Sequence, residues 1–243
     1  LNDNKFNKII FLKKEFKNNK YKKKDKSNYK KKNLIKLSND LCKKKEFELD
    51  PHQLFVKNFI SINTPYNSLL LYHGLGTGKT CSAITICEEM RKYYNLMGQN
   101  NKIKIICSKS LQENFKMQLF NPEKLENING YWNIKSCVGN SLIKEVNPIN
   151  IRNLSKEKVT KYIQNIIKKN YNFYGYIEFK NRMFDIIKKD INPKDSAKTR
   201  EKKEIYNIKK YFSNTTIVID EIHNLRVIRK SKQLNLNFKG NKK

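Results

Sequence analysis

Residues 69–80, LLLYHGLGTGKT, constrain the fold more than any other stretch of the sequence. An apolar run leads into a glycine-rich turn that ends in Lys79 and Thr80, and an amphipathic segment follows at once. Glycines let successive backbone N–H groups approach a phosphate because no Cβ intervenes, and a helix that begins there directs its positive dipole end at the same charge. The stretch therefore predicts a buried strand over 68–73, a phosphate-binding loop, and a helix over 80–94.

The loop matches most of the P-loop pattern G-x-x-x-x-G-K-[ST]. Lys79 would reach the β and γ phosphates of a nucleotide, and the Thr80 hydroxyl would bind Mg²⁺. His73 stands where the strict pattern has glycine, and a glycine follows one position late. A glycine-rich run by itself is also compatible with a simple turn, but the order of strand, loop, Lys-Thr and helix favours ATP with Mg²⁺. The predicted nucleotide-binding residues are Gly74, Gly76, Thr77, Gly78, Lys79 and Thr80.

A second apolar run, IVIDEIH at 217–223, ends in two acidic residues. Adjacent carboxylates at the end of a buried strand are unfavourable unless a cation or hydrogen bonds compensate, and Mg²⁺ on a triphosphate supplies that cation. We expect Asp220 to hold Mg²⁺ and Glu221 to orient and deprotonate the attacking water. An acid pair after a strand is also an ordinary cap or loop feature, but its combination with the glycine loop favours nucleotide hydrolysis.

Strand and helix patterns alternate along the rest of the chain. Apolar runs predict strands at 102–108 and 217–219, and WNIKSCV at 132–138 is a candidate short strand,. YGYIEF at 174–179 fits either a strand or the start of a helix. Helical periodicity predicts further helices at 51–60, 110–120, 155–170 with Ser155 as N-cap, and 199–212,. This alternation predicts an α/β domain with a central, mostly parallel sheet flanked by helices.

Charge divides the chain into three parts. The sequence has 52 Lys+Arg against 22 Asp+Glu and a formal net charge of +30, which favours an anionic partner such as nucleic acid,. Lys and Asn are both abundant, as an AT-biased genome produces, so part of the excess carries no binding meaning. Residues 1–46 predict a basic, partly disordered or loosely helical arm,. Residues 47–226 then form the ATP-binding domain, and 227–243 are a basic tail.

The five cysteines, Cys42, Cys81, Cys87, Cys107 and Cys137, do not occur as CxxC or beside a histidine at metal-ligand spacing. They predict free thiols in a reducing compartment, with three of them packing as small apolar side chains, Cys81, Cys87 and Cys107. No apolar run approaches ~18 residues and no signal sequence opens the chain, so we expect a soluble intracellular protein with no membrane partner. The first residue is Leu rather than Met, which indicates an internal fragment.

The motifs GLGTGKT and DEIH, with PHQLF upstream, resemble those of superfamily 2 DExH helicases and DNA translocases. Together with SLQENF, GYIEF and VIDEIHNLR, the run that begins at PHQLF is similar to the helicase-like ATPases of nucleocytoplasmic large DNA viruses. That group includes the poxvirus early transcription factor small subunit and nucleoside triphosphate phosphohydrolase I. The likeness covers about residues 47–226 and implies a RecA-like P-loop domain.

The resemblance also implies roles for further residues. Gln53 would contact the adenine edge, and His223 would couple the nucleotide to a second lobe. Lys109, Ser110 and Asn114, in SKSLQENF, would contact a nucleic-acid backbone, DNA rather than RNA. An exposed helix Gln and a solvated helix cap are the alternatives for these positions. A viral RNA polymerase is a candidate partner, and the virion or the host cytoplasm is the implied location.

Family members continue into a second RecA-like lobe whose arginines reach the γ phosphate. Only residues 224–243 follow His223, and they contain no such pattern. Because arginines of this kind contribute about 10³ or more in rate, we expect this ATPase lobe to bind ATP better than it hydrolyses it. The predicted function is the ATP-binding lobe of a viral helicase or translocase that acts in transcription. The alternatives are a truncated, non-catalytic nucleic-acid-binding module with an idle nucleotide site, and another P-loop enzyme such as a nucleotide kinase or an AAA+ machine.

Overall fold

A computed structural model of the chain describes residues 5–19, 35–36, 38–39, 48–99, 102–148 and 154–225. Most of the predicted basic arm, Cys42 and the predicted tail at 227–243 lie outside these ranges. No helix within them is both long enough and apolar enough to cross a membrane.

The described residues contain a parallel three-stranded sheet in the order β4-β1-β5. The central strand, β1 (Ile103–Ile106), is buried along its whole length, as its apolar sequence predicts. It pairs in parallel with β4 (Tyr171–Tyr174) on one side and with β5 (Ile217–Ile219) on the other. Helices lie between these strands in the chain, so the predicted α/β class with a parallel sheet flanked by helices is confirmed.

The five helices predicted from periodicity are present with bounds within two residues of the prediction, whereas the helix at 141–146 was not predicted. Helix α3 begins at Pro51 after Asp50, and the Ser155 hydroxyl caps α7 by accepting a hydrogen bond from the backbone N–H of Lys158. The ambiguous segment at 174–179 contains a boundary: β4 ends at Tyr174 and α8 begins at Tyr176. The helices are α1 (Phe6–Leu12), α2 (Lys14–Lys17), α3 (Pro51–Phe59), α4 (Lys79–Leu96), α5 (Lys109–Leu119), α6 (Ser141–Val146), α7 (Lys156–Asn170), α8 (Tyr176–Ile187) and α9 (Ala197–Phe212).

Helix α4 covers one face of the sheet. Ile84 and Cys87 of the helix are fully buried against Ile103 and Ile105 of β1. A second apolar cluster forms where α6 and α7 pack against a two-stranded antiparallel hairpin. Its strands are β2 (Leu125–Ile128) and β3 (Tyr131–Ile134). The candidate strand at 132–138 is therefore present as β3, which starts one residue before the predicted strand and ends four residues before its predicted end.

The predicted strand at 68–73 is wrong. Residues 66–74 form no helix or strand, and Leu69, Leu70 and Tyr72 are 41%, 71% and 94% exposed. A strand needs a neighbour for its backbone N–H and C=O groups, and no strand in the described ranges pairs with this run,. The apolar composition therefore indicates a segment that favours burial but does not identify a partner.

The strand that precedes the acid pair is less buried than predicted. All three residues of β5 are only partly buried, whereas every residue of β1 is buried. Among the described strands β5 pairs with β1 alone and so forms an edge of the sheet. An edge strand has neighbours on one side only, which accounts for the difference.

The described first part of the predicted disordered or loosely helical arm is helical, and it packs against α3. Ile10 of α1 and Phe16 of α2 are 6% and 3% exposed and lie in a cluster with Phe59 of α3. The Phe16 ring centroid is 4.9 Å from that of Phe55. Apolar residues interspersed among the lysines at helical spacing supply this face, which the net charge of the segment conceals.

The prediction of free thiols is wrong for two cysteines. Cys81, in the first turn of α4, and Cys137, in the loop before α6, form a disulfide with their Cα atoms 5.3 Å apart. Sequence spacing did not indicate this pair because the two residues are 56 positions apart and meet only through tertiary packing. Cys87 and Cys107 are free and buried, as predicted.

Candidate nucleotide site

The glycine loop bends into α4 through two residues in the left-handed region. Gly76 and Gly78 have φ of +78° and +75°, which residues with a Cβ rarely adopt, and Gly78 is the N-cap of α4,. In the described part of the chain, no backbone N–H group of residues 76–80 donates a hydrogen bond. Such unpartnered donors at a helix start suit an anion with several oxygens.

Lys79 folds back onto its own loop. Its Nζ donates to the carbonyl oxygens of His73 and Gly74, each at 3.2 Å. The Thr77 hydroxyl donates to the same Gly74 carbonyl at 2.9 Å. The ammonium group thus lies at the loop, beside the partly buried Thr80.

Helix α3 contacts the loop from the other side. The Gln53 side chain is 5% exposed, and its Nε2 donates to the Gly78 carbonyl at 3.3 Å. His52, its neighbour, lies with Nε2 2.9 Å from the Thr77 carbonyl. The His52 ring centroid is 5.3 Å from that of His73, and burial, followed by the charges of His52 and Lys79, lowers the pKa of His73.

The acid pair lies directly after β5. The backbone N–H of Asp220 continues the strand pairing by donating to the Ile106 carbonyl at 3.0 Å. Glu221 has φ of +48°, unusual for a residue with a side chain, and its N–H donates to Asp220 Oδ1 at 3.1 Å,. His223 Nδ1 is 3.2 Å from Glu221 Oε2. The Tyr176 hydroxyl, from α8, donates to the Asp220 carbonyl at 2.7 Å and holds the turn in place.

Helix α4 runs antiparallel to the strands, and this decides where the glycine loop lies. Near the carboxyl end of α4, the Tyr94 hydroxyl is 2.9 Å from Oγ1 of Thr216, the residue before β5. Earlier in the helix, Glu88 Oε1 accepts a 2.6 Å hydrogen bond from the hydroxyl of Tyr171, at the start of β4. Both contacts lie at the amino edge of the sheet. The amino end of α4 and the loop therefore point toward the carboxyl edge, where Asp220 follows β5.

The loop lysine and the acids lie toward one edge of the sheet without direct contact. Lys79 is bonded to loop carbonyls, and no hydrogen bond or ion pair among the described residues joins it to Asp220 or Glu221. The donor set suits a metal-bound triphosphate: backbone N–H groups and an ammonium for phosphate, and a carboxylate and a hydroxyl for Mg²⁺.

The predicted nucleic-acid contacts lie on the surface at the same edge of the sheet. Lys109 and Ser110 form the exposed first turn of α5, which starts three residues after the last residue of β1. Asn114 is exposed one turn later and accepts a 3.2 Å hydrogen bond from the Gln118 amide. All three are accessible to a ligand.

A buried charge network in α4 was not predicted from the sequence. Arg91 is 1% exposed and donates to both carboxylate oxygens of Glu88, at 2.9 and 2.8 Å. It also donates to both carboxylate oxygens of Glu145, at 3.0 and 2.7 Å. The spacing of Glu88 and Arg91 on one helix was the available signal, but i,i+3 pairs of this kind usually lie on an exposed helix face.

The arrangement of a parallel sheet, flanking helices and a glycine loop at the start of α4 is consistent with a helicase-like α/β domain. A protein of Acanthamoeba polyphaga mimivirus named "Putative ATP-dependent RNA helicase" is 30% identical over 189 residues, which are 76% of this chain and 26% of that protein. A protein of Invertebrate iridescent virus 3 named "Putative helicase" is 28% identical over 204 residues, which are 77% of this chain and 17% of that protein.

A third relative carries a transcription name. An "Early transcription factor large subunit homolog" of African swine fever virus is 46% identical over 50 residues, 21% of this chain and 5% of that protein. No family model and no solved structure matches the chain. The homologues support the viral helicase family that the motifs indicate, but not a specific likeness to the early transcription factor small subunit or to nucleoside triphosphate phosphohydrolase I. The chain spans about a quarter or less of these relatives' lengths.

Proposed function

We propose that this chain is the ATP-binding lobe of a viral DExH-type helicase or translocase, which couples ATP hydrolysis to movement along nucleic acid. One observation carries the proposal. The glycine loop, with its unpartnered N–H groups and Lys79, and the acid pair after β5 lie toward the same edge of one parallel sheet. Homology to proteins named as helicases in large DNA viruses supports the same function.

In this proposal each group acts on the triphosphate. The N–H groups of the loop and the Lys79 ammonium would bind the phosphate oxygens, and Thr80 and Asp220 would hold Mg²⁺, whose charge would offset that of the phosphates. Glu221 orients the attacking water and accepts its proton. His223, exposed and paired with Glu221, is placed to transmit the state of the site to a second lobe.

The wider assignments belong to the same proposal. Residues 47–226 are the ATP-binding domain, with α1 and α2 of the preceding basic segment packed on it and 227–243 a basic tail. A second RecA-like lobe completes the motor, and the nucleic acid is DNA rather than RNA, contacted in part by Lys109, Ser110 and Asn114. The transcription-named relative supports a role in transcription. A viral RNA polymerase as partner and the virion or host cytoplasm as location complete the proposal.

Two substitutions test the site. Lys79→Ala should abolish binding of Mg·ATP, measured by calorimetry, while Lys92→Ala, an exposed lysine of the same helix, should leave the affinity unchanged. In the full-length protein Glu221→Gln should retain ATP binding and lose hydrolysis, with Glu126→Gln on the exposed side of β2 as the control. Wild-type hydrolysis in Glu221→Gln would refute the assigned base.

The arrangement of Lys79 and Glu221 favours a second candidate, a nucleic-acid-binding module with an idle nucleotide site. Each charged group engages a partner in its own segment, the loop carbonyls for Lys79 and His223 for Glu221. A wild-type chain that bound nucleic acid but showed no heat of binding with Mg·ATP would establish this alternative.

A further inference from the structure

Two consecutive residues in the first turn of α3 contact two consecutive residues of the glycine loop. His52 Nε2 lies 2.9 Å from the carbonyl oxygen of Thr77, and Gln53 Nε2 lies 3.3 Å from that of Gly78. A carbonyl oxygen only accepts, so His52 donates from Nε2. We call these two hydrogen bonds the α3 clasp.

Both polar atoms of the Gln53 amide have partners within the protein. Its Oε1 accepts a hydrogen bond from the backbone N–H of Asp50 at 2.9 Å, which fixes the orientation of the amide while Nε2 bonds to the loop. A Cβ at Gly78 would lie 2.5 Å from Gln53 Nε2, so the loop approaches the amide as closely as a glycine allows. An amide held in this way acts on the loop backbone.

Bonding the two carbonyls determines where the neighbouring N–H groups point. In a trans peptide the C=O and the N–H of one unit lie in a plane and point in opposite directions. The Thr77 carbonyl shares its unit with the Gly78 N–H, and the Gly78 carbonyl shares its unit with the Lys79 N–H. His52 binds the Thr77 carbonyl and so turns the Gly78 N–H away from α3. The Gly78 carbonyl is bound by Gln53 and also by the Ser82 N–H of α4 at 3.0 Å, so both helices orient the Lys79 N–H. Neither N–H has a partner within the described residues.

We propose that His52 is a positioning residue for the phosphate loop and that, with Gln53, it orients the N–H groups of Gly78 and Lys79 toward the phosphates of the nucleotide. The proposal rests on ATP binding at this loop. It differs from recognition of adenine by Gln53, because the clasp acts on the phosphate-binding backbone whatever base the nucleotide carries.

Two ligands separate these roles in the full chain. His52→Ala should weaken binding of both Mg·ATP and Mg·tripolyphosphate about threefold to tenfold, the usual effect of one lost hydrogen bond. Gln53→Ala should also weaken both. His52→Gln, which offers an N–H donor at a similar reach, should restore most of the affinity. Lys57→Ala removes another contact between α3 and α4, the ion pair with Glu89 at 3.3 Å, and should change neither affinity.

Amide hydrogen exchange of the free protein supplies a second readout that needs no nucleotide. His52→Ala should raise the exchange rate at Ser82, whose N–H donates to the Gly78 carbonyl at 3.0 Å and stays protected while the loop is held, about threefold to tenfold, and Lys57→Ala should leave it unchanged,. Unchanged affinity and exchange in His52→Ala, with a wild type that binds ATP, would overturn the clasp and leave the proposed function intact. A Gln53→Ala loss confined to Mg·ATP would assign Gln53 to the adenine and overturn its part. A wild type that bound neither ligand would refute both proposals.

Discussion

Truncating Arg91 to alanine should destabilise the protein far more than removal of an exposed charge. The guanidinium is 1% exposed and makes four hydrogen bonds to the carboxylates of Glu88 and Glu145. Burial opposes its charge, yet the hydrogen bonds that it donates to Glu145 and Glu88 hold the pKa of Arg91 above its ordinary value. The network joins α4 to α6 and, through the Tyr171 hydroxyl on Glu88, to β4.

The magnitude depends mainly on what happens to Glu88. The Glu145 side chain is 38% exposed and regains water when Arg91 is lost, whereas that of Glu88 is 6% exposed and retains only the hydroxyl of Tyr171. Breaking a buried pair by removing one partner costs about 3–5 kcal/mol. For a domain of this size that corresponds to a fall in Tm of about 6–20 °C.

Thermal and urea unfolding, followed by circular dichroism, measure the effect. Lys116→Ala is the matched control, because its ion pair with Glu113 is exposed on both sides and should contribute about 0.5 kcal/mol or less,. The double variant Arg91→Met with Glu88→Gln should recover much of the loss, since no buried charge remains unpaired. A loss in Arg91→Ala no larger than that in Lys116→Ala would refute this account of the network.

Three further predictions concern the redox state, pH and salt. Cys81→Ser should lower the free energy of unfolding in oxidising buffer by about 4 kcal/mol, because the disulfide with Cys137 joins residues 56 positions apart,. Dithiothreitol should have the same effect on the wild type. A wild type whose stability does not change with dithiothreitol would contradict the presence of the disulfide. The pKa of His73 is lowered below 6.5 in the folded state, so its contribution to stability should be complete above pH 6.5 and be lost as pH falls through that lower pKa,. The free energy of unfolding of His73→Asn, measured in urea at about pH 5 to 8, should therefore depend less on pH than that of the wild type. An unchanged pH dependence would contradict this role of His73. Affinity for DNA should fall steeply as the salt concentration rises. If the ATPase lobe supplies the phosphate contacts, a variant with the lysines of residues 20–32 changed to glutamine should keep this salt dependence. Loss of the salt dependence in that variant would place the phosphate contacts on the arm.

Apolar patterning predicted the elements whose partners are local or whose burial is complete. The run at 102–108 is fully buried as β1, and the periodicity that begins at Thr80 corresponds to α4. The same reasoning failed at 68–73, because an apolar run shows that a segment favours burial and not which neighbour covers it. It also missed β2, although the Asn129-Gly130 turn of the hairpin was a usable signal,.

The sequence predicted which residues belong to the candidate site more completely than how those residues are arranged in space. Motif spacing predicted the loop and the acid pair, and their roles stay predictions. The contacts of α4 indicate that the loop points toward the edge where Asp220 follows β5. Contacts between distant segments could not be predicted in the same way. The hydrogen bond from His52 to Thr77 spans 25 positions, and that from Arg91 to Glu145 spans 54. Neither residue has a pattern in its own neighbourhood that names its partner.

The position of the glycine loop depends on contacts at the far end of α4. The Glu88 and Tyr94 contacts anchor the second half of this 18-residue helix at the amino edge of the sheet. With a rise of about 1.5 Å per residue, Lys79 lies about 13 Å along the helix from Glu88, which is comparable to the length of a four-residue strand. A rigid helix anchored at one edge therefore carries the loop to the other, where the acid pair follows β5. Loss of the Arg91 network should therefore change the affinity for nucleotide as well as the free energy of unfolding, because it changes the orientation of α4.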